Sequence, residues 1–166
     1  VYEVPNAMRR ASLYHAYEVT DGDTTDLHTL FSDNFPYQRI LLLREKPEFE
    51  PVLPDSGAVE QVEIVTHDVN YQKYRATLTT PGLLFVSENY FPGWQVKVDG
   101  QPAHLLRADH TFRAVSLPAG EHEVEFSFDW PRYENSKLVT QVTILLSLLG
   151  LAGCLVWEHR GKGKAA

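Results

Sequence analysis

The stretch Leu138–Trp157 reads LVTQVTILLSLLGLAGCLVW, twenty residues without a formal charge. As a helix rising about 1.5 Å per residue it spans roughly 30 Å, the hydrocarbon thickness of a bilayer. Seven Leu, three Val and one Ile favour insertion. Their combined contribution is roughly 3 to 7 kcal/mol before Thr140, Gln141, Thr143 and Ser147 reduce it. The competing reading is a buried helix of a soluble protein, and the flanks argue against it. Trp157 stands at the expected interface, and the EHRGKGKAA that follows carries Arg160, Lys162 and Lys164. On the other side Arg132 and Lys137 are offset by Glu134. An aromatic belt and a positive cytoplasmic tail predict residues 132–158 as a transmembrane helix, 159–166 as a basic cytoplasmic tail, and 1–131 outside the cytoplasm. Thr140, Thr143, Ser147, Gly150 and Cys154 recur at spacings of three and four, one stripe of small side chains. Such a stripe lets other helices approach closely, so the expected partners of this helix are further transmembrane helices of the same protein.

The rest of the chain is acidic. Of 15 basic and 22 acidic side chains, three and one lie after Trp157, which leaves 12 against 21, a net of −9 for residues 1–157. A surface of that sign repels nucleic acid. The single cysteine, Cys154, excludes an intrachain disulfide and paired-cysteine zinc motifs. No charged n-region followed by an apolar h-region opens the chain, so it reads as a piece of a longer membrane protein rather than a secreted one.

Residues 10–130 divide into short runs rich in β-branched and aromatic residues: 12–19, 39–44, 59–66, 74–80, 83–90, 94–98, 103–107, 112–117 and 122–128. Nine such runs predict an all-β fold, a β-sandwich or jelly roll. One stretch, DGDTTDLHTLFSDNF, predicts a short helix on the flank, with Leu27, Leu30 and Phe31 as its apolar stripe. EKPEFEPVLPDSG at 45–57, with three prolines and four acidic residues, reads as a solvated loop.

ENYFPGWQVKVDGQPA at 88–103 is the richest stretch for function. Trp94, Val96 and Val98 share one strand face, which points Trp94 toward the core. Asp99-Gly100 is the dipeptide of a two-residue hairpin, and Pro92-Gly93 supplies the turn before the strand. Tyr90, Phe91 and Trp94 are the candidate ligand-binding residues, since aromatic faces stack on sugar rings at small entropic cost. Core and rim packing is the competing account, strongest for Trp94. Among seven histidines the best metal cluster is Asp109-His110 with His104 and His122, but no HxH or HExxH spacing supports it, and no metal is assigned. Glu121, Glu123 and Glu125 lie on the polar face of one strand, and His122 shares phase with Val124, Phe126 and Phe128. Glu88, Asp99 and Asp109 add carboxylates without the pattern a hydrolase needs. No nucleophile elbow, phosphate loop or catalytic cysteine context appears, so no catalytic residue and no cofactor is assigned.

PNAMRRA at 5–11, LFVSENYFPGWQVKVDG at 84–100, LLRADHTFRAVSLPAGEHEVEF at 105–126 and a terminal span, in that order, resemble the C-terminal end of the bacterial YfhO family of multi-pass membrane proteins. The resemblance implies a polytopic protein of the bacterial inner (plasma) membrane, similar to GT-C glycosyltransferases. These pass sugars from a polyprenyl-phosphate carrier to cell-envelope acceptors. It implies catalytic groups in an N-terminal membrane part, none of them here. Two departures stand out. Phe128-Asp129-Trp130-Pro131 replaces a tyrosine, one residue and proline, and Asp109-His110 stands where the family often has Asn-Tyr. The expected function is a non-catalytic module that positions a cell-envelope glycan or polymer acceptor. The alternative is a structural or protein-interaction domain that caps the membrane part and has no ligand of its own.

Overall fold

In the computed structural model the described residues are 8–129 and the helix 131–162, with helix side chains described over 136–153. The chain divides into two compact units, Val1–Asp129 and Trp130–Ala166. The first is all-β with one short helix. Its elements are β1 (Ala11–Tyr14), β2 (Tyr17–Val19), α1 (Asp23–Leu30), β3 (Leu41–Leu43), β4 (Gln61–His67), β5 (Tyr71–Leu78), β6 (Gly82–Asn89), β7 (Trp94–Val98), β8 (Gln101–Ala103), β9 (Leu106–Ala108), β10 (Phe112–Leu117) and β11 (Gly120–Phe128). One sheet has the order β1-β6-β10-β9-β3-β2, the other β4-β5-β11-β7-β8.

The period-two pattern builds the sandwich. Ala11, Leu84, Val86, Val115 and Leu117 of the first sheet pack with Tyr74, Ala76, Leu78, Val96, Val124 and Phe126 of the second in one apolar cluster. Tyr74 and Phe126 meet edge to face at 5.8 Å. Residues of alternate phase in the first sheet, Tyr14, Leu83, Phe85, Leu106, Ala108 and Ala114, form a second cluster with Leu41 and Leu43. β6 is therefore buried on both faces, and its GLLFV reads as a continuous apolar run. Residues 44–60 form a loop with mostly exposed side chains, as their prolines and charges predict. It is pinned at Phe49, whose amide donates to Ser116 Oγ at 2.9 Å, and at Val52, whose amide donates to the Pro81 carbonyl at 2.9 Å.

Two predicted runs are each two strands. Residues 12–19 contain β1 and β2, which lie at opposite edges of the same sheet, and 103–107 contain the end of β8 and most of β9, which lie in different sheets. α1 forms as expected, but its packed face is not the predicted stripe. Asp26 is 1% exposed while Leu27 and Phe31 are 41% and 83% exposed. Asp26 accepts a hydrogen bond from Thr20 Oγ1 and pairs with Arg44 at 2.7 Å. A buried, fully partnered carboxylate thus sets the rotation of a helix of only two turns.

The second unit contains α2 (Pro131–Lys162). Its window Ser136–Gly153 is long and apolar enough to cross a membrane, and none of it is buried. Leu138, Leu145 and Leu149 are 62%, 58% and 60% exposed, so within this chain they join no apolar core. Thr140, Thr143 and Ser147 return their hydroxyl protons to the carbonyls of Ser136, Val139 and Thr143 at 2.8–2.9 Å. The helix backbone satisfies these polar groups, which lowers the cost of placing them in lipid. The side chains of Cys154 and Trp157, residues 163–166 of the tail, and Pro5 to Ala7 of the PNAMRRA block lie outside the described residues.

Candidate functional site

The aromatic turn joins β6 to β7. The Phe91 carbonyl accepts the Trp94 amide at 3.0 Å and closes the turn around Pro92-Gly93. Two further bonds tie it down: Tyr90 N–H donates to the Thr111 carbonyl at 2.6 Å, and Asp129 N–H donates to the Gly93 carbonyl at 2.8 Å. The chain leaving β11 is thereby fastened to the turn. Trp94 packs against the inter-sheet core, as its strand phase predicts. Its ring lies edge-on to Phe128 at 5.4 Å, and the Arg113 guanidinium carbon lies 3.9 Å from its centroid. Phe91 stacks at a tilt on Phe128 at 6.2 Å and is 49% exposed, while Tyr90 is half-buried. Of the three candidate ligand-binding residues, Trp94 packs against the core, Phe91 is exposed beside it, and Tyr90 is half-buried.

Arg113, which sequence reasoning missed, is the buried group beneath this turn. It is 1% exposed, in phase with Val115 and Leu117 on β10, and sits between the sheets. Nη2 donates to Gln72 Oε1 at 2.9 Å, and Nε donates to the Glu88 carbonyl at 3.4 Å. The Trp94 and Phe126 faces supply cation–π contacts at 3.9 and 5.2 Å. Burial pushes the guanidinium down to about 10, so it stays charged at neutral pH. Gln72 leads outward to His67, which clusters with Arg10 and Glu88 on the surface. The sequence signal was an arginine at an inward phase of the FRAVSL strand.

Asp99 and Gly100 have φ of 51° and 78°, the paired left-handed residues of the predicted hairpin turn. The Asp99 carboxylate accepts Glu123 N–H at 2.8 Å and contacts His122 Nδ1 at 2.8 Å. The His122 hydrogen bond, then the Glu123 amide, hold the carboxyl below its usual range. The four groups of the candidate metal cluster do not converge. His122 pairs with Asp99, and His104 contacts Glu45 at 2.7 Å. Asp109 turns inward to accept Leu42 N–H at 2.9 Å, and burial pushes its carboxyl up to about 6. His110 instead meets Asp23 and Asp26, each at 3.7 Å. Potential ligand atoms of these three residues lie within 4.8 Å of one another. Arg44 bridges both carboxylates and Arg107 reaches Asp23 at 3.0 Å, so two guanidiniums already offset the two negative charges a cation would need.

Four further carboxylates are engaged in the same way. Glu60 accepts Thr79 N–H and Oγ1–H at 2.8 and 2.9 Å and contacts His15 Nε2 at 2.7 Å. Glu123 and Glu125 share Lys73, as the polar face of β11 predicts, and Glu63 pairs with Arg75.

The family described as "Bacterial membrane protein YfhO" matches residues 56–140, about half the chain and all of the sheet containing the aromatic turn's exit strand β7. The chain belongs to the YfhO family. An "Uncharacterized protein YfhO" of Bacillus subtilis (strain 168) is 24% identical over 84 residues, which are 48% of this chain and 10% of that protein. The chain thus spans a small part of the length of its curated relative. No solved structure matches it. The YfhO match takes in β4 through β11 and the first turns of α2, and stops short of β1, α1 and the 5–11 block. Trp94, Arg113, Asp99 and Asp109 all fall inside it. Membership of a membrane family and the exposed apolar window of α2 together make this a segment of a membrane protein.

Proposed function

We propose that this YfhO segment is the non-catalytic C-terminal module of a membrane glycosyltransferase-like protein acting on cell-envelope glycans or polymers, and that its sandwich is a structural cap on the membrane part. The observation that carries the reading is the state of its carboxylates: Asp23, Asp26, Glu60, Asp99, Glu123 and Glu125 are each held by a cation, histidine or backbone amide of the sandwich itself. A glycosidic acid and base must instead face each other across open space. Residues 1–131 lie outside the cytoplasm in this reading, α2 crosses the inner membrane, and its small-residue stripe faces other helices of the same protein. Tags at residue 55 and at the C-terminus, probed with protease in intact cells, test the topology. A cleaved tail with a protected residue 55 sinks it.

A second reading, acceptor positioning, is favoured by the outward placement of Phe91 beside Tyr90 on a turn braced by Trp94 and Arg113. It expects Tyr90→Ala with Phe91→Ala to weaken retention on a cell-envelope polysaccharide column at unchanged melting temperature. Unchanged retention leaves the cap as the function.

A further inference from the structure

Strand direction gives the sandwich two ends, only one of which leads to α2. β11 delivers the chain toward α2, and its last residues pair with the first residues of β5 and β7: Ser127 with Tyr71, and Phe128 with Trp94. The β4–β5 tip and the aromatic turn therefore lie at this exit end, and Phe128 N–H donates to the Asn70 carbonyl at 2.9 Å. Each tip carries an exposed apolar side chain, Val69 at 88% and Phe91 at 49%. At the opposite end, about 26 Å away along β11, the hairpin tips are Thr79-Thr80-Pro81, Asp99-Gly100 and Pro118-Ala119, but Leu53 and Val59 beside them are 75% and 81% exposed, so it is the tether to α2 rather than apolar exposure that distinguishes the two ends.

The tether limits where the exit end can be. Two residues separate Phe128 from Pro131, three Cα–Cα steps that reach at most about 11 Å. The sequence places Trp130 and Tyr133 just ahead of the apolar window that begins at Ser136. Aromatic residues in that position mark the headgroup level of a bilayer. Phe128, and with it Phe91, is two residues from that level.

We infer that the exit end of the sandwich docks onto the lipid headgroup layer, with Phe91 and Val69 seated in it and the bilayer surface as the partner. The inference rests on α2 being a membrane span and extends the cap reading by naming what the cap sits on. Leu53, 75% exposed on the loop pinned to Pro81 and Thr80 at the opposite end, is the built-in control for mere apolar exposure.

The test is site-directed nitroxide labelling of the full-length protein in a cysteine-free background, in vesicles of equal parts phosphatidylethanolamine and phosphatidylglycerol. Labels go at Phe91→Cys, Val69→Cys, Leu53→Cys and Leu145→Cys, with accessibility read against oxygen and a water-soluble nickel chelate. The expected oxygen-to-nickel ratio is highest at 145, intermediate at 91 and 69, and severalfold lower at 53. If 145 reads as lipid while 91 and 69 read as water, or are shielded from both reagents by protein, docking is overturned and the span stands. Headgroup-like readings at all of 91, 69 and 53 overturn end-on docking. A water-like reading at 145 removes the span, and the docking with it.

Discussion

Asp109→Asn is expected to stabilise the sandwich at neutral pH and to leave it unchanged or slightly weaker in acid. Asp109 is 6% exposed, and one carboxylate oxygen accepts the Leu42 amide at 2.9 Å. Burial, opposed by that amide and reinforced by the nearby charge of Asp26, raises its carboxyl from 3.8 to about 6. A raised folded-state value means that the fold prefers the protonated form. Its contribution is fully present below the unfolded value near 3.8 and is lost as pH rises through about 6. The difference corresponds to at most about 3 kcal/mol above pH 7, at 1.36 kcal/mol per unit. Asparagine keeps the acceptor for Leu42 and tolerates the φ of 43°, and it carries no charge. Its new amide donors take back part of the gain, since a buried donor without a partner costs about 1–3 kcal/mol. A net gain of about 1–2 kcal/mol corresponds to roughly 2–8 °C in Tm for a chain of this size. The assay is thermal melting of wild type and variant in the same detergent from pH 4 to pH 8, plotted as the difference in Tm. Taking the difference cancels Asp99 and Glu60, whose depressed values make their own contributions fall away in acid. A difference that rises between pH 4 and 7 supports the reasoning. Parallel melting curves refute it, and with them the idea that Asp109 is buried as an acid.

Three other perturbations probe the same framework. Trp94→Ala removes the ring shared by Arg113 and Phe128 and is expected to cost about 3 kcal/mol in denaturant unfolding, with Trp94→Phe losing less than half as much. Gly82→Ala places a Cβ 2.8 Å from the His15 ring, displaces it from Glu60, and costs about 1–3 kcal/mol. Adding Glu60→Gln to that variant should then cost less than it does in wild type, since the pair is already broken. Gly100→Val forces a β-branched residue to φ of 78° and should lower stability by about 1–3 kcal/mol, whereas Gly100→Asn should restore most of it in the same melt.

What the sequence made legible was whatever depends on local period and local turn chemistry. The alternation WQVKV fixed the inward Trp94, Asp99-Gly100 fixed a hairpin, and a charge-free run of membrane length marked α2. What it concealed depends on topology. Nothing in YHAYE separates β1 from β2, because His15 and Ala16 are ordinary strand-compatible residues. The break exists because the two strands pair with different neighbours, β6 and β3. Likewise His104 and Leu105 pass the chain from one sheet to the other without a glycine or proline to announce it. Arg113 was invisible as a core residue because its compensation comes from Gln72 and Trp94, 41 and 19 positions away and on the opposite sheet. α1 misled for the converse reason. Its apolar stripe was real, but Thr20 and Arg44 offered Asp26 a partnered burial that no periodicity encodes.

The aromatic turn shows how these two levels combine. Its glycine carbonyl takes the Asp129 amide, and its phenylalanine and tryptophan rings both pack on Phe128, so Phe91, Gly93 and Trp94 all help hold the end of β11 in place. That commitment falls just ahead of α2, whose window Ser136–Gly153 is long and apolar enough to cross a membrane. Phe91 shares in that bracing through its contact with Phe128 while remaining 49% exposed. A turn built only to stack on a ligand would gain nothing from a hydrogen bond to the outgoing chain. Bracing and exposure thus occur on one turn, at the end of the sandwich from which the chain runs on to α2. Mutation distinguishes the two roles by degree: Trp94 should move stability alone, whereas Phe91, which also stacks on Phe128, should move a smaller part of the stability together with whatever the turn touches.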